Sequence, residues 1–162
     1  MNAKDIIKNV AEFSWMLVRS YVDDFTDAEL MTRPVPEANH VAWQLGHMIG
    51  GTREMLTMLG HPSPELPAGF AEAHGREAAK SDDPKKFATK AQYLALGEQM
   101  KAATLTAIDA TPDGDLDKPA PEAMRGYAPT VGAVLVLLGT HRLMHAGQFV
   151  PIRRKLGRKP LF

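Results

Sequence analysis

His141 and His145 stand four residues apart, a spacing that on a helix sends both imidazoles off the same face. The chain has six histidines in 162 residues, the others being His40, His47, His61 and His74. Chance alone gives about 0.2 such pairs in a chain of this composition, so the spacing needs support from its surroundings. Those surroundings are apolar and periodic. Val134, Leu138, His141, His145, Gln148 and Ile152 recur at steps of three and four, which predicts that both histidines and the Gln148 amide face an interior. Burying two imidazoles and an amide costs free energy unless each finds a partner. A divalent metal ion is one partner that two imidazoles at this spacing can share. Elsewhere, His47 lies on a line with His40, Trp43, Gln44, Gly51 and Glu54, so a third imidazole could meet the pair.

Each of these residues also has a plainer reading. A lone inward histidine is more often a hydrogen-bonded core residue than a ligand. Trp43 and Met48 read as core filler. His61 and His74 fall in a proline-rich stretch and read as solvated. His40 is open between a first-turn surface residue, a support for a ligand and a competing ligand. Glu54 lies seven residues from His47 on the same face, which is its only claim to be a general base. Arg153-Arg154-Lys155 and Arg158-Lys159 read as a solvated helix end favoured by the helix dipole, with an anion-binding patch as the lesser alternative.

Four helices must position these residues. The first is expected from Ala3 to Asp24, with Ile6, Val10, Phe13, Leu17 and Tyr21 as its inward face. Thr26-Asp27-Ala28-Glu29 has the capping-box pattern of a short helical turn. The second helix is expected to be capped by Asn39 and to end at Leu59 before Gly60 and Pro62. Residues 60–88, with Pro62, Pro64, Pro67 and Pro84, form a long connection that reads as a lid or a crossover. Thr89-Lys90-Ala91-Gln92 opens the third helix, which runs to Ala110 with Tyr93, Leu96, Met100, Ala103 and Ala107 inward. Thr130 caps the fourth, which runs to Leu156 before Gly157, with a kink expected at Pro151. The expected fold is all-α, a four-helix bundle with one long crossover connection, in one domain over residues 1–162. Second apolar lines remain on the first helix (Ile7, Ser14, Val18, Phe25) and the fourth (Val136, Leu143, Val150). If exposed, they would form the surface of a homodimer.

Composition narrows the function. Nineteen basic residues balance nineteen acidic ones, so nothing draws the chain to nucleic acid or an anionic membrane. No run is long and apolar enough for a transmembrane helix, and the N-terminus has no signal pattern, so a cytoplasmic protein is expected. The chain has no cysteine, which excludes disulfides, thiolate metal ligands and a cysteine nucleophile of its own.

Asn39-His40-Val41-Ala42-Trp43-Gln44-Leu45-Gly46-His47, followed by His141-Arg142-Leu143-Met144-His145-Ala146-Gly147-Gln148, resembles the DinB family. Arg33-Pro34 and Arg154-Lys155-Leu156-Gly157 fit as well, and the resemblance covers nearly the whole chain, weakest across 60–128. It implies a crossover four-helix bundle with a metal-binding triad, carried here by His47, His141 and His145. Relatives in the family include metal-dependent thiol S-transferases, a maleylpyruvate isomerase that uses mycothiol, and proteins assigned as metal hydrolases. The resemblance therefore implies a divalent-metal-dependent enzyme acting on a small-molecule substrate. The expected chemistry is thiol-dependent S-transfer or isomerisation of a small electrophile, with a low-molecular-weight thiol as cosubstrate. The alternatives are a metal-dependent hydrolase and a non-catalytic bundle binding a metal or small ligand. Zinc, nickel, iron, cobalt and copper all suit a histidine-only site. Gln148 is the one further residue expected to serve catalysis, by orienting a ligand.

Overall fold

The computed structural model describes residues 1–159 and 161. Its α-helices are α1 (Ala3–Val22), α2 (Val41–Met58), α3 (Phe70–Ala73), α4 (Lys90–Ala110) and α5 (Val131–Lys155). Each long helix begins where a side chain holds its first free amides. Asn2 accepts from the Asp5 amide and the Asp5 carboxylate accepts from the Asn2 amide, both at 2.9 Å. Thr89 and Gln92 make the same reciprocal box on α4. The Thr130 hydroxyl accepts from the Ala133 amide to start α5. The expected box at Thr26 and Glu29 opens a short 3₁₀ turn, Glu29–Met31. On α2 the cap is one residue later than expected. His40, not Asn39, takes it, with Nδ1 accepting from the Trp43 amide at 3.0 Å. Gly60 and Gly157 take left-handed φ of 77° and 72° where α2 and α5 stop. Pro151 sits inside α5, which continues through it to Lys155.

α1 packs against α4 and α5, and α2 packs against the same two, so α1 and α2 occupy opposite corners of the bundle. Contacts at the ends give the directions. Lys4 donates to the Thr111 carbonyl past the end of α4, while Lys90 at the start of α4 donates to Asp23, so α1 and α4 run antiparallel. Arg153 donates to the Tyr21 carbonyl, so α1 and α5 run parallel. His61 beyond α2 meets Thr111 beyond α4, so α2 and α4 are also parallel. The order is up-down-down-up. Eighteen residues of α2 span about 27 Å. Residues 59–89 must travel back over that length, and they are the crossover. Among the described residues no helix is long and apolar enough to cross a membrane.

The crossover is fastened at several points. Arg33 donates to the Asp82 carboxylate at 2.7 Å and to the carbonyls of Ala38, Ala79 and Ser81. His40 Nδ1 accepts in the cap, so its hydrogen rests on Nε2, which donates to Ser81 O at 3.1 Å. His74 is buried, not solvated as the sequence suggested. Its Nδ1 bonds to the Phe70 carbonyl and its Nε2 to the Tyr93 hydroxyl, each at 2.7 Å. His61 is likewise half-buried and bonded to Thr111 at 3.1 Å.

The inward face of α1 is shifted by one residue from the one expected, with Val10, Leu17 and Tyr21 half-buried at its edge. Ile7, Ala11, Ser14, Trp15, Val18 and Val22 are buried, and Phe25 follows them into the core. Ile6 and Phe13, expected inside, are about half exposed, at 51% and 52%. The deciding contact is Trp15, whose ring fills the space where a β-carbon on residue 97 would sit, so α4 carries Gly97 at that height. The indole Nε1 then donates to Glu98 at 2.8 Å. A tryptophan buries more apolar area than the Phe13 it displaces from the interior.

Candidate metal centre

His47 lies near the N-terminal end of α2, and His141 and His145 lie one turn apart on the antiparallel α5. The helix directions therefore bring the three to one height. Their ligand atoms all fall within 4.8 Å of one another. The His145 and His141 Nε2 atoms are 3.2 Å apart. Two imidazole nitrogens on one tetrahedral ion, each at about 2.05 Å, stand about 3.3 Å apart. The ring centroid of His47 is 5.2 Å from each of the other two. His141 Nδ1 is buried and has no partner among the described residues. The donor set therefore fits one divalent ion.

Burial is the first cause of every shift in protonation here. It pushes His145 down to about 3 and His141 down to about 4, with the neighbouring imidazoles adding to both. His47 is lowered for the same reason, partly offset by the Glu54 carboxylate. At neutral pH all three rings are thus neutral, as metal ligands must be.

Supports surround the three rings. Gln44 Oε1 accepts from His145 Nδ1 at 3.0 Å, while its own amide donates to the Asn39 carbonyl at 2.9 Å. The second bond fixes which way the amide points, so the hydrogen of His145 is on Nδ1 and the lone pair on Nε2 faces the other histidines. Trp43 lies flat on His47, 4.8 Å between centroids and 7° between planes. Its Nε1 donates to the Gly75 carbonyl at 3.0 Å, tying that stack to the crossover. Arg142 is buried, with no carboxylate partner among the described residues. Its Nη2 meets the hydroxyls of Thr52 and Thr104 at 3.4 and 3.3 Å, and burial brings it down to about 10.

Of the residues singled out in the sequence, the structure brings His47, His141 and His145 together and leaves Gln148 apart. The buried line of α5 runs through Leu138, Arg142, His145, Phe149 and Ile152. Gln148 lies on the His141 flank of that line, seven residues further on, and is exposed. The amide that touches the triad is Gln44, which the sequence placed on the His47 line without a role. His40 and His74 are structural, and Glu54 is exposed.

A cavity of about 590 Å³ opens beside His47 between α2 and the crossover. Gly50 and Gly51 form part of its wall. A β-carbon on Gly50 would meet nothing within 4 Å, and one on Gly51 would meet only His141 at 3.5 Å and beyond. This stretch of α2 therefore offers bare backbone to the cavity without packing demanding it.

The profile of the DinB superfamily matches residues 11–149. The fold is similar to the crystal structure of a conserved protein from Enterococcus faecalis, with a TM-score of 0.77 and 19% identity over 98% of this chain and 99% of that one. No curated protein matches the sequence.

Proposed function

The chain belongs to the DinB superfamily, and from that premise we propose that it is a divalent-metal-dependent S-transferase or isomerase that uses a small thiol on a small electrophile. The observation that carries the reading is the convergence of three neutral imidazoles beside an open cavity. His47, His141 and His145 are the proposed ligands, and zinc, nickel or iron would suit them. The ion, when bound, supplies a Lewis acid that favours the ionised form of a thiol or of water near neutral pH.

The chain's own residues do the positioning. Gln44 holds the His145 tautomer and Trp43 holds the plane of His47. Gly50 and Gly51 leave room for a substrate next to the imidazoles. With no cysteine in the chain, the thiol must arrive as a low-molecular-weight cosubstrate. Gln148, exposed one turn past His145, would meet a ligand only from the solvent side. Hydrolysis at the same centre is the alternative.

The test compares turnover of electrophilic substrates with and without added thiol, in metal-free and metal-loaded protein. Turnover is expected to need both. A rate that survives chelation and His145→Ala sinks the mechanism, and a metal-dependent rate indifferent to thiol replaces the transferase with the hydrolase. Full metal retention with no turnover of any substrate would leave a binding protein.

We also propose a homodimer, on a face whose α1 half differs from the one the sequence suggested. The α1 line Ile7, Ser14, Val18 and Phe25 is inside the core. Ile6, Phe13 and Met16 on α1 are 48–52% exposed, with Val136 and Met144 exposed on the adjoining α5. Light scattering is expected to give twice the 17.7 kDa chain mass, and Phe13→Glu is expected to halve it. A chain-sized mass for the parent at high concentration would rule the dimer out.

A further inference from the structure

We propose that the cavity beside His47 binds a small molecule with an apolar body through its carboxylate, which Arg53 and Arg76 hold. This deepens the functional reading, since it names the class of substrate or cosubstrate that the metal centre would act on.

Two arginines of the cavity wall have no side-chain partner among the described residues. Arg19, Arg33, Arg153 and Arg158 each meet a carboxylate. Arg53 and Arg76 both line the cavity, and neither guanidinium makes a hydrogen bond or ion pair among the described residues. The Nε of Arg53 is buried as well as unpaired. Arg53 is half-buried, and its one N–H withdrawn from water without an acceptor is unfavourable, while its planar fork matches a carboxylate in two parallel bonds. Arg76 is exposed and lines the crossover side of the same space.

The charge count favours a single carboxylate over a more highly charged group. Among the described residues Glu54 is the one acid in the wall, and it pairs with neither arginine. In the metal-free protein, two guanidiniums and one carboxylate leave one net positive charge, which one carboxylate balances. A dianionic phosphate would leave an excess negative charge facing Glu54. The rest of the lining is apolar where it faces the crossover, with Met58, Leu66 and Phe70. Gly50, a poor helix former that packing does not require, keeps the space beside Arg53 open. The ligand therefore has an anionic end at the arginines and a hydrocarbon portion against Leu66 and Phe70.

The carboxylate could belong to the electrophile or to the thiol, and both would dock in the same way. Hexanoate is a suitable probe, with its neutral analogue hexanamide and with inorganic phosphate, titrated into metal-free protein so that the carboxylate cannot bind an ion. Hexanoate is expected to bind at least tenfold more tightly than hexanamide or phosphate. Arg53→Gln should weaken it about tenfold, Arg76→Gln about threefold, and Arg53→Lys less than Arg53→Gln, with circular dichroism unchanged in each. Equal affinity for hexanoate and hexanamide, or undiminished binding in Arg53→Gln, overturns the proposal. Tighter phosphate would replace the carboxylate by a phosphate ester. In loaded protein, competition of hexanoate with the thiol would assign the carboxylate to the thiol, and competition with the electrophile would assign it to the electrophile. His141→Ala should keep hexanoate binding. Should that variant instead keep its metal too, the metal reading fails while this one stands.

Discussion

Substituting His141 by alanine is expected to abolish stoichiometric metal binding and to leave the fold intact. Its Nε2 stands 3.2 Å from that of His145, and its Nδ1 is buried without a partner, so the ring makes no protein hydrogen bond outside the triad. Removing it leaves two ligands, and the loss of affinity should exceed the roughly 10- to 100-fold typical of changes in the supporting groups. Gln44→Leu, which frees the His145 tautomer, should fall within that range, and Gln148→Ala should change nothing. Elemental analysis of protein purified without a histidine tag reads all three. The fold is expected to survive because the core does not depend on the site. One apolar cluster runs from Trp15 through Ile152 and another from Ile7 through Leu138, each built of apolar side chains. Chelated parent protein should keep its helical circular dichroism at room temperature. Undiminished metal in His141→Ala would remove the triad, and loss of helicity on chelation would make the centre structural.

How much of this was legible in the sequence depends on what each signal required. Thr89 and Thr130 were legible because capping is local and reads from four consecutive residues. The triad was legible because helical spacing and family resemblance converged on the same three positions. The face of α1 was not. It carries two apolar lines, Ile6 to Tyr21 and Ile7 to Val22, and the choice rests on Gly97, eighty-two residues from Trp15. Gln148 was misplaced because a periodic stripe drifts around a helix. The line that holds His145 passes on to Phe149, and the flank that carries His141 and Gln148 comes to the surface. His74 was read as solvated because prolines surround it, yet a loop that spans the bundle's length must be fastened, and histidine can bond at both ring nitrogens.

The largest loss of stability is expected from the smallest change, Gly46→Ala. Gly46 is buried in the interior of α2, where alanine would ordinarily strengthen a helix by about 1 kcal/mol. Here the added methyl would occupy the place of the His74 ring. A flexible side chain could move aside, but this ring is held at both nitrogens. Nδ1 donates to the Phe70 carbonyl and Nε2 accepts from the Tyr93 hydroxyl, whose oxygen in turn accepts from the Ala88 amide. Phe70 and Phe87 both pack against the ring. Displacing it breaks at least two buried hydrogen bonds and forces an overpacked contact, together about 3 kcal/mol or more. For a chain of this length that lowers Tm by about 10 °C. The loss should be local in origin. Placed in a His74→Ala background, where the ring is already gone, Gly46→Ala should cost little or even stabilise, because its helix propensity then acts alone. Thermal denaturation of the four proteins of that cycle reads the coupling. If Gly46→Ala costs the same in both backgrounds, the glycine is there for a reason other than His74, and the crossover is not held to α2 in the way described.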